Sequence, residues 1–287
     1  METMRALHFT DEPLTPMLPF HDAPGTDRAR NPHHQEARMA QRALIVTGAS
    51  RGIGAATARL AGRRGYAVCV NYVGNQEAAE QVAADVRAAG GRAIAFRTPN
   101  HDEAGVQAMF EAVERELGPV TALVNNAGVP GRITRVENLE LANLREALEV
   151  NVIGTVLCAR EAVRRMSTKR GGAGGAIVNV SSLASRTGSP GELVHYAVAK
   201  AGVEIFTYGL AAEVAQEGIR VNCVSLGLFA TDIHAAAGDA ERLQRYATRM
   251  PMARPGRPDE AAEAILWFLS DAASYVTGAT LPVGGGR

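Results

Sequence analysis

From Arg42 onward the chain alternates short β-branched runs with stretches whose apolar residues recur at helical spacing. The runs read ALIVT at 43–47, YAVCVNY at 66–72, RAIAF at 92–96, ALVNNAG at 122–128, AIVNVSS at 176–182 and IRVNCVS at 219–225. Between them lie an Ala-rich stretch after the first run, an amphipathic pattern from Gln76 to Ala89, and helical patterns at Leu141 to Met166 and Val194 to Gln216. The runs are apolar without a break, which is what burial on both faces of a sheet demands. Alternating strands and helices joined by right-handed crossovers predict an α/β fold: a single-domain, Rossmann-type doubly wound parallel sheet with helices on both faces. Lys169 to Gly175, KRGGAGG, precedes a strand and reads as a surface turn, since a phosphate loop comes after one.

Residues 1–38 carry Pro, His and Arg with no period of either kind and are expected to be a disordered extension, with the domain at 39–287. Lys plus Arg balances Asp plus Glu at 30 each, without a basic stripe, which leaves no electrostatic footprint for nucleic acid or an anionic membrane. A small-molecule partner fits better. Cys69, Cys158 and Cys223 stand far apart, with no CxxC and no His cluster, so neither a disulfide framework nor a metal site is expected. With no apolar run long enough for a membrane span and no signal peptide pattern, a cytoplasmic location is expected.

Chemistry concentrates in three places. The first is TGASRGIG at 47–54, where Gly48, Gly52 and Gly54 come after the first strand and open a helix. Glycine lets the backbone turn tightly and approach a pyrophosphate, and the helix N-terminus favours its charge. NAD-preferring folds place an acidic residue at the end of the second strand to hold the ribose 2′-hydroxyl. Here that strand ends Val70-Asn71-Tyr72, and Arg51 within the loop offers paired N–H donors to a 2′-phosphate. The loop therefore favours NADP(H) over NAD(H); the plainer reading of Arg51 is a solvated loop charge.

The second place is Tyr196-Ala-Val-Ala-Lys200, whose phenol and ammonium lie one helical turn apart on one face. A cation that close is expected to draw the phenol down from its ordinary value near 10 and make it an acid/base. Third, Ser181 and Ser182 end an apolar strand, and Asn125, Asn126 and Gly128 end another, where strand ends open onto the ligand crevice. A serine hydroxyl there is able to hydrogen-bond a substrate oxygen as charge develops.

Together these motifs resemble the classical short-chain dehydrogenase/reductase family, in order and spacing: TGASRGIG, NNAG at 125–128, VNVIG at 150–154, Ser182, YAVAK at 196–200 and SYVTG at 274–278. The resemblance runs from about Arg42 to the end of the sequence, and the stretch SSLASRTGSPGELVHYAVAK is similar to bacterial members that are glucose-1-dehydrogenase-like or uncharacterised oxidoreductases. It implies a nicotinamide-dependent oxidoreductase of CH–OH groups and carbonyls. In that reading Tyr196 moves the proton, Ser182 positions the substrate oxygen, Lys200 holds the nicotinamide ribose, and Asn151 orders a proton-relaying water. Cofactor contacts are implied for Ser50, Ile53, Asn71, Tyr72, Ala127, Gly128 with Asn126, Gly227 and Thr231. The stretch 228–258 corresponds to a variable substrate lid, and a homotetramer built on the helices around Leu144 to Met166 and Val194 to Gln216 is implied.

Three positions depart from the family pattern. Pro99 and Asn100 stand where an Asp holds adenine, Leu226-Gly227 replaces Pro-Gly, and Gly284-Gly285-Gly286 replaces Asp-Gly-Gly. The first leaves the adenine contact open, and the loss of a proline ring predicts a looser lid. Sugars or polyols are one expected substrate class; a 3-oxoacyl thioester on acyl carrier protein is the rival, for which Arg164, Arg165, Lys169 and Arg170 form a modest basic patch. A non-catalytic cofactor-binding regulator is the third reading, and the complete set Asn151, Ser182, Tyr196 and Lys200 argues against it. Glu192 and His195 border the expected pocket, as substrate contacts or as ordinary surface residues.

Overall fold

The computed structural model describes residues 42–233, 238–239, 241–247 and 250–287; the proposed extension at 1–38 lies outside them. Seven parallel strands form one sheet in the order β3-β2-β1-β4-β5-β6-β7. They are β1 Ala43–Val46, β2 Ala67–Tyr72, β3 Ala93–Arg97, β4 Val120–Asn125, β5 Gly175–Ser182, β6 Ile219–Leu226 and β7 Thr280–Val283. The helices that cover it are α1 Gly52–Arg63, α2 Gln76–Ala88, α3 Glu103–Glu116, α4 Leu141–Leu148, α5 Gly154–Met166, the short α6 Ala184–Thr187, α7 Val194–Val214, α8 Arg242–Ala247 and α9 Pro258–Leu269.

Side-chain alternation along the central strands explains their unbroken apolar character. On β1, Leu44 and Val46 pack with α1, α2 and α9, whereas Ala43 and Ile45 pack with α3, α5 and α7. Both faces are dry, so β1 and β2 are buried at every position. Edge strands β3 and β7 face helices less completely and are only partly buried. The run Leu141 to Met166 is interrupted by a π-type turn at Glu149–Ile153, which places Asn151 in the interior. KRGGAGG forms the turn expected, with Gly171 and Gly174 at positive φ. The segments of β7, α3 and α9 complete the fold although none of them stands out in the hydrophobic pattern.

Chain order reverses between β1 and β4, and the crevice of a doubly wound sheet opens at such a point, beyond the carboxyl ends of the strands. Leaving β1, the chain enters the glycine loop; leaving β4, it runs through Asn126 to Gly128. The two loops are tied by Thr47, whose hydroxyl accepts from the backbone N–H groups of Asn126 and Ala127, each at 3.0 Å.

Candidate active site

The glycine loop is built for close approach. Gly48 lies at φ +62°, and a Cβ there would meet Ala127 Cα at 2.9 Å. A Cβ on Gly54 would meet Asn126 Nδ2 at 2.5 Å, because Asn126 donates to the carbonyls of Thr47 and Gly48. Arg51 occupies the N-cap of α1 without capping it, and no acidic residue sits in the first turn. The first N–H groups of α1 therefore face outward without a side-chain partner, as an anion site requires. Thr231 stands over Gly52, 3.4 Å from where a Cβ would be, so the start of the proposed lid covers the loop. This cradle fits the pyrophosphate of a dinucleotide.

Asn71 and Tyr72 at the end of β2, and Asn100 after β3, pack into the protein. Asn71 is buried, accepts from Gly48 N–H at 3.3 Å and donates to the carbonyls of Phe96 and Thr98. Tyr72 lies in the core beneath α2. At the end of β2 both side chains thus serve the loop and the core. Asn100, at the position where adenine would be held, is likewise buried and donates to Val150 O at 2.9 Å. Gly154 is glycine for that reason: a Cβ there would overlap the Asn100 amide at 2.1 Å.

The catalytic candidates converge on a cavity of about 350 Å³ lined by Ser182, Tyr196, Lys200, Gly227 and Thr231 among others. Helix α7 carries Tyr196 and Lys200 and buries its Lys200, Val203, Thr207 and Ala211 stripe against β5 and β6. Lys200 Nζ donates to Val180 O at 2.8 Å and sits 5.7 Å from the Tyr196 ring centroid. Ser182 and Tyr196 line the same wall of the cavity, and the Ser182 oxygen accepts from Ala184 N–H at 3.2 Å.

Burial, not the neighbouring cation, dominates the proton affinities. It pushes the Tyr196 phenol up to about 12, against a hydrogen bond from Ser182 that acts the other way. It pushes the Lys200 ammonium down to about 8. The expectation that Lys200 draws the phenol toward neutrality is therefore corrected for the cofactor-free protein: the lysine lies over the ring face and directs a proton at Val180 O. Tyr196 stands ready as an acid.

Asn151 is fully buried and donates to Val129 O and Ala147 O at 2.8 and 2.7 Å. Its Oδ1 has no partner among the described residues. A Cβ on Gly128 would lie 2.7 Å from that oxygen and 3.1 Å from Lys200 Nζ, so the two groups border one small space. Glu192 lines the cavity and accepts from the Tyr246 hydroxyl of α8 at 3.1 Å. His195 instead turns away, buried, with Nε2 3.1 Å from Pro130 O, and burial holds its imidazole below the usual value. Leu226 continues β6 in register with Val283, and Gly227 packs on Gly284, where a Cβ would meet the Gly284 Cα at 2.7 Å. The two departures from the family pattern thus fit each other.

A glycine cradle at the switch point and a serine, tyrosine and lysine around one cavity define a nicotinamide-linked oxidoreductase of CH–OH groups and carbonyls. The chain belongs to the short-chain dehydrogenase/reductase family. Residues 48–287 match the family model described as enoyl-(acyl carrier protein) reductase. The chain is 50% identical over 243 residues to the uncharacterized oxidoreductase YgfF of Escherichia coli (strain K12), covering 85% of this chain and 98% of that protein. It is 42% identical over 248 residues to cis-4-hydroxycyclohexanecarboxylate dehydrogenase of Sinomonas cyclohexanicum, covering 86% and 97%. A solved double mutant of a Serratia marcescens short-chain dehydrogenase/reductase superposes with a TM-score of 0.78 at 30% identity, covering 86% and 97%.

Proposed function

We propose that the protein is an NADP(H)-dependent oxidoreductase interconverting a secondary alcohol and a ketone in a small substrate such as a sugar, polyol or cyclic alcohol. The observation that carries the reading is the convergence of Ser182, Tyr196 and Lys200 on the wall of one cavity, with Lys200 one turn along the helix from Tyr196. When bound, the nicotinamide supplies or accepts the hydride. Ser182 and Tyr196 hold the substrate oxygen from two sides, and the protonated phenol donates to it as negative charge builds there. Held up near 12, the phenol keeps its proton at neutral pH, which suits carbonyl reduction. For oxidation it must lose that proton, so the rate in that direction rises with pH. Lys200 Nζ and the unpartnered Asn151 Oδ1 border the space through which a water restores the proton.

Arg51 is exposed beside the glycine loop, and the residues after β2, Val73 and Gly74, are uncharged. This supports the NADP(H) preference. Arg51→Ala is expected to raise the KM for NADP(H) by roughly 10- to 100-fold and leave that for NAD(H) nearly unchanged. Initial rates with both cofactors check this, and equal effects on the two would remove Arg51 from the 2′-phosphate.

Among the described residues of the proposed lid, Leu228, Phe229, Thr231, Ile233 and Tyr246 line the cavity, which supports a substrate-facing role for this segment. Val198, Ile205 and Tyr208 on α7 are exposed together with Ile153, which supports pairing of these helices in a homotetramer. Among the described residues no helix is long and apolar enough to cross a membrane, and we read the enzyme as cytoplasmic. A panel of sugars, cyclic alcohols, ketones and 3-oxoacyl thioesters, assayed at 340 nm with each cofactor, tests the substrate class. Turnover confined to the thioesters would overturn it in favour of the acyl-carrier reading, and cofactor binding without any turnover would favour the regulator.

A further inference from the structure

Glu204 lies one turn beyond Lys200 on α7, in line with Tyr196 and Lys200 at successive intervals of four residues. Its Oε1 accepts from three serine hydroxyls: Ser181 at 2.9 Å, Ser185 at 2.6 Å and Ser225 at 2.8 Å. Ser181 and Ser225 are cross-strand neighbours on β5 and β6, and Ser185 belongs to α6. The Ser181 Oγ also lies 3.0 Å from Lys200 O, so its one proton is shared between the carboxylate and the backbone of Lys200. Holding a carboxylate among protein groups is costly unless donors replace its water, and three hydroxyls on one oxygen do so.

Each of these serines stands beside residues of the cavity wall. Ser181 precedes Ser182; Ser185 sits between Ala184 and Thr187; Ser225 precedes Leu226 and Gly227; all five of these neighbours line the cavity. Glu204 therefore ties the three segments that carry the far wall of the cavity to the helix that carries Tyr196 and Lys200. We propose that Glu204 is a positioning residue for the reaction, acting through Ser181, Ser185 and Ser225 to hold Ser182 in place against Tyr196 on the cavity wall. The proposal rests on the reading of Ser182 and Tyr196 as the reacting pair. It leaves untouched the pyrophosphate cradle, which belongs to β1, α1 and the loop after β4, although Lys200 and Gly227, beside Ser181 and Ser225, are also assigned to the nicotinamide end.

The separation from the cradle gives the test its discrimination. Glu204→Leu is expected to lower kcat by about tenfold or more while the KM for NADP(H) stays within about twofold. Glu204→Gln keeps an oxygen acceptor at the same place and is expected to recover kcat to within about threefold of the native enzyme. In a double-mutant cycle, Ser185→Ala costs kcat in the native background and nothing further in Glu204→Leu, because both remove one interaction. If Glu204→Leu does not fold, the double variant Ser185→Ala/Ser225→Ala, which keeps the carboxylate and the helix, carries the same expectation of a kcat loss at constant cofactor KM. Native kcat in a folded Glu204→Leu protein, or equal losses in kcat and cofactor affinity, would overturn the proposal. A Tyr196→Phe control run alongside separates the two readings: if it is inactive while Glu204→Leu is unimpaired, only the positioning role is lost.

Discussion

Tyr196→Phe should lower kcat by about 10²- to 10⁴-fold, the range in which a positioned acid or base contributes, while the protein keeps its fold and its cofactor. The ring remains to pack against the Lys200 stem, and the glycine cradle is untouched. The dissociation constant for NADPH, read from quenching of protein fluorescence, is expected to stay within about threefold of the native value. Nearly native turnover would mean that another group delivers the proton.

The second large effect concerns stability rather than rate. Lys200 is buried, and its ammonium is held down at about 8 from an ordinary 10.5. At pH 7 it is protonated in the folded and the unfolded chain alike, so the folded state carries a desolvation cost on the order of 3 kcal/mol. As pH rises from 8 toward 10.5 the folded protein releases this proton before the unfolded chain does, and the cost fades. The unfolded state binds more protons in that window, so this group makes stability rise with pH there. Lys200→Met removes the charge but leaves Val180 O without its donor, a loss of about 1–3 kcal/mol. The variant is therefore expected to be inactive yet at least as stable as the native protein at pH 7. The stability difference between native and variant, measured by urea titration without cofactor, should shift in favour of the native chain between pH 8 and 10.5. Cys69 and Cys158 titrate alike in both proteins and cancel in that difference, whereas Cys223, whose thiol is coupled to Lys200, is replaced by Ser in both backgrounds for the measurement. A pH-independent difference would show that Lys200 is not desolvated as the geometry requires.

These two residues illustrate what is local and what is not. Their adjacency comes from helical spacing, and so Tyr196-Ala-Val-Ala-Lys200 is legible as a pair without coordinates. The size and sign of their proton affinities come from burial, which depends on β5, β6 and the cavity wall, and there the local expectation was reversed. Glu192 and His195, three residues apart, part company in the same way: Glu192 reaches the cavity and Tyr246, whereas His195 is drawn inward to Pro130 O.

By itself the amino-acid sequence determined the alternation of strands and helices, the glycine cradle after β1, the helical turn that joins Tyr196 to Lys200, and the family to which they point. All of these depend on neighbours a few residues apart, where backbone geometry leaves little choice. Only the tertiary structure decided that Asn71 and Tyr72 serve the loop and the core, that Asn151 keeps a free buried oxygen beside Lys200, and that Glu204 gathers three serines. Those outcomes join groups far apart in the chain, such as Asn71 with Thr98, 27 residues on, and Glu204 with Ser181, 23 residues back, where packing rather than local preference sets the direction of a side chain.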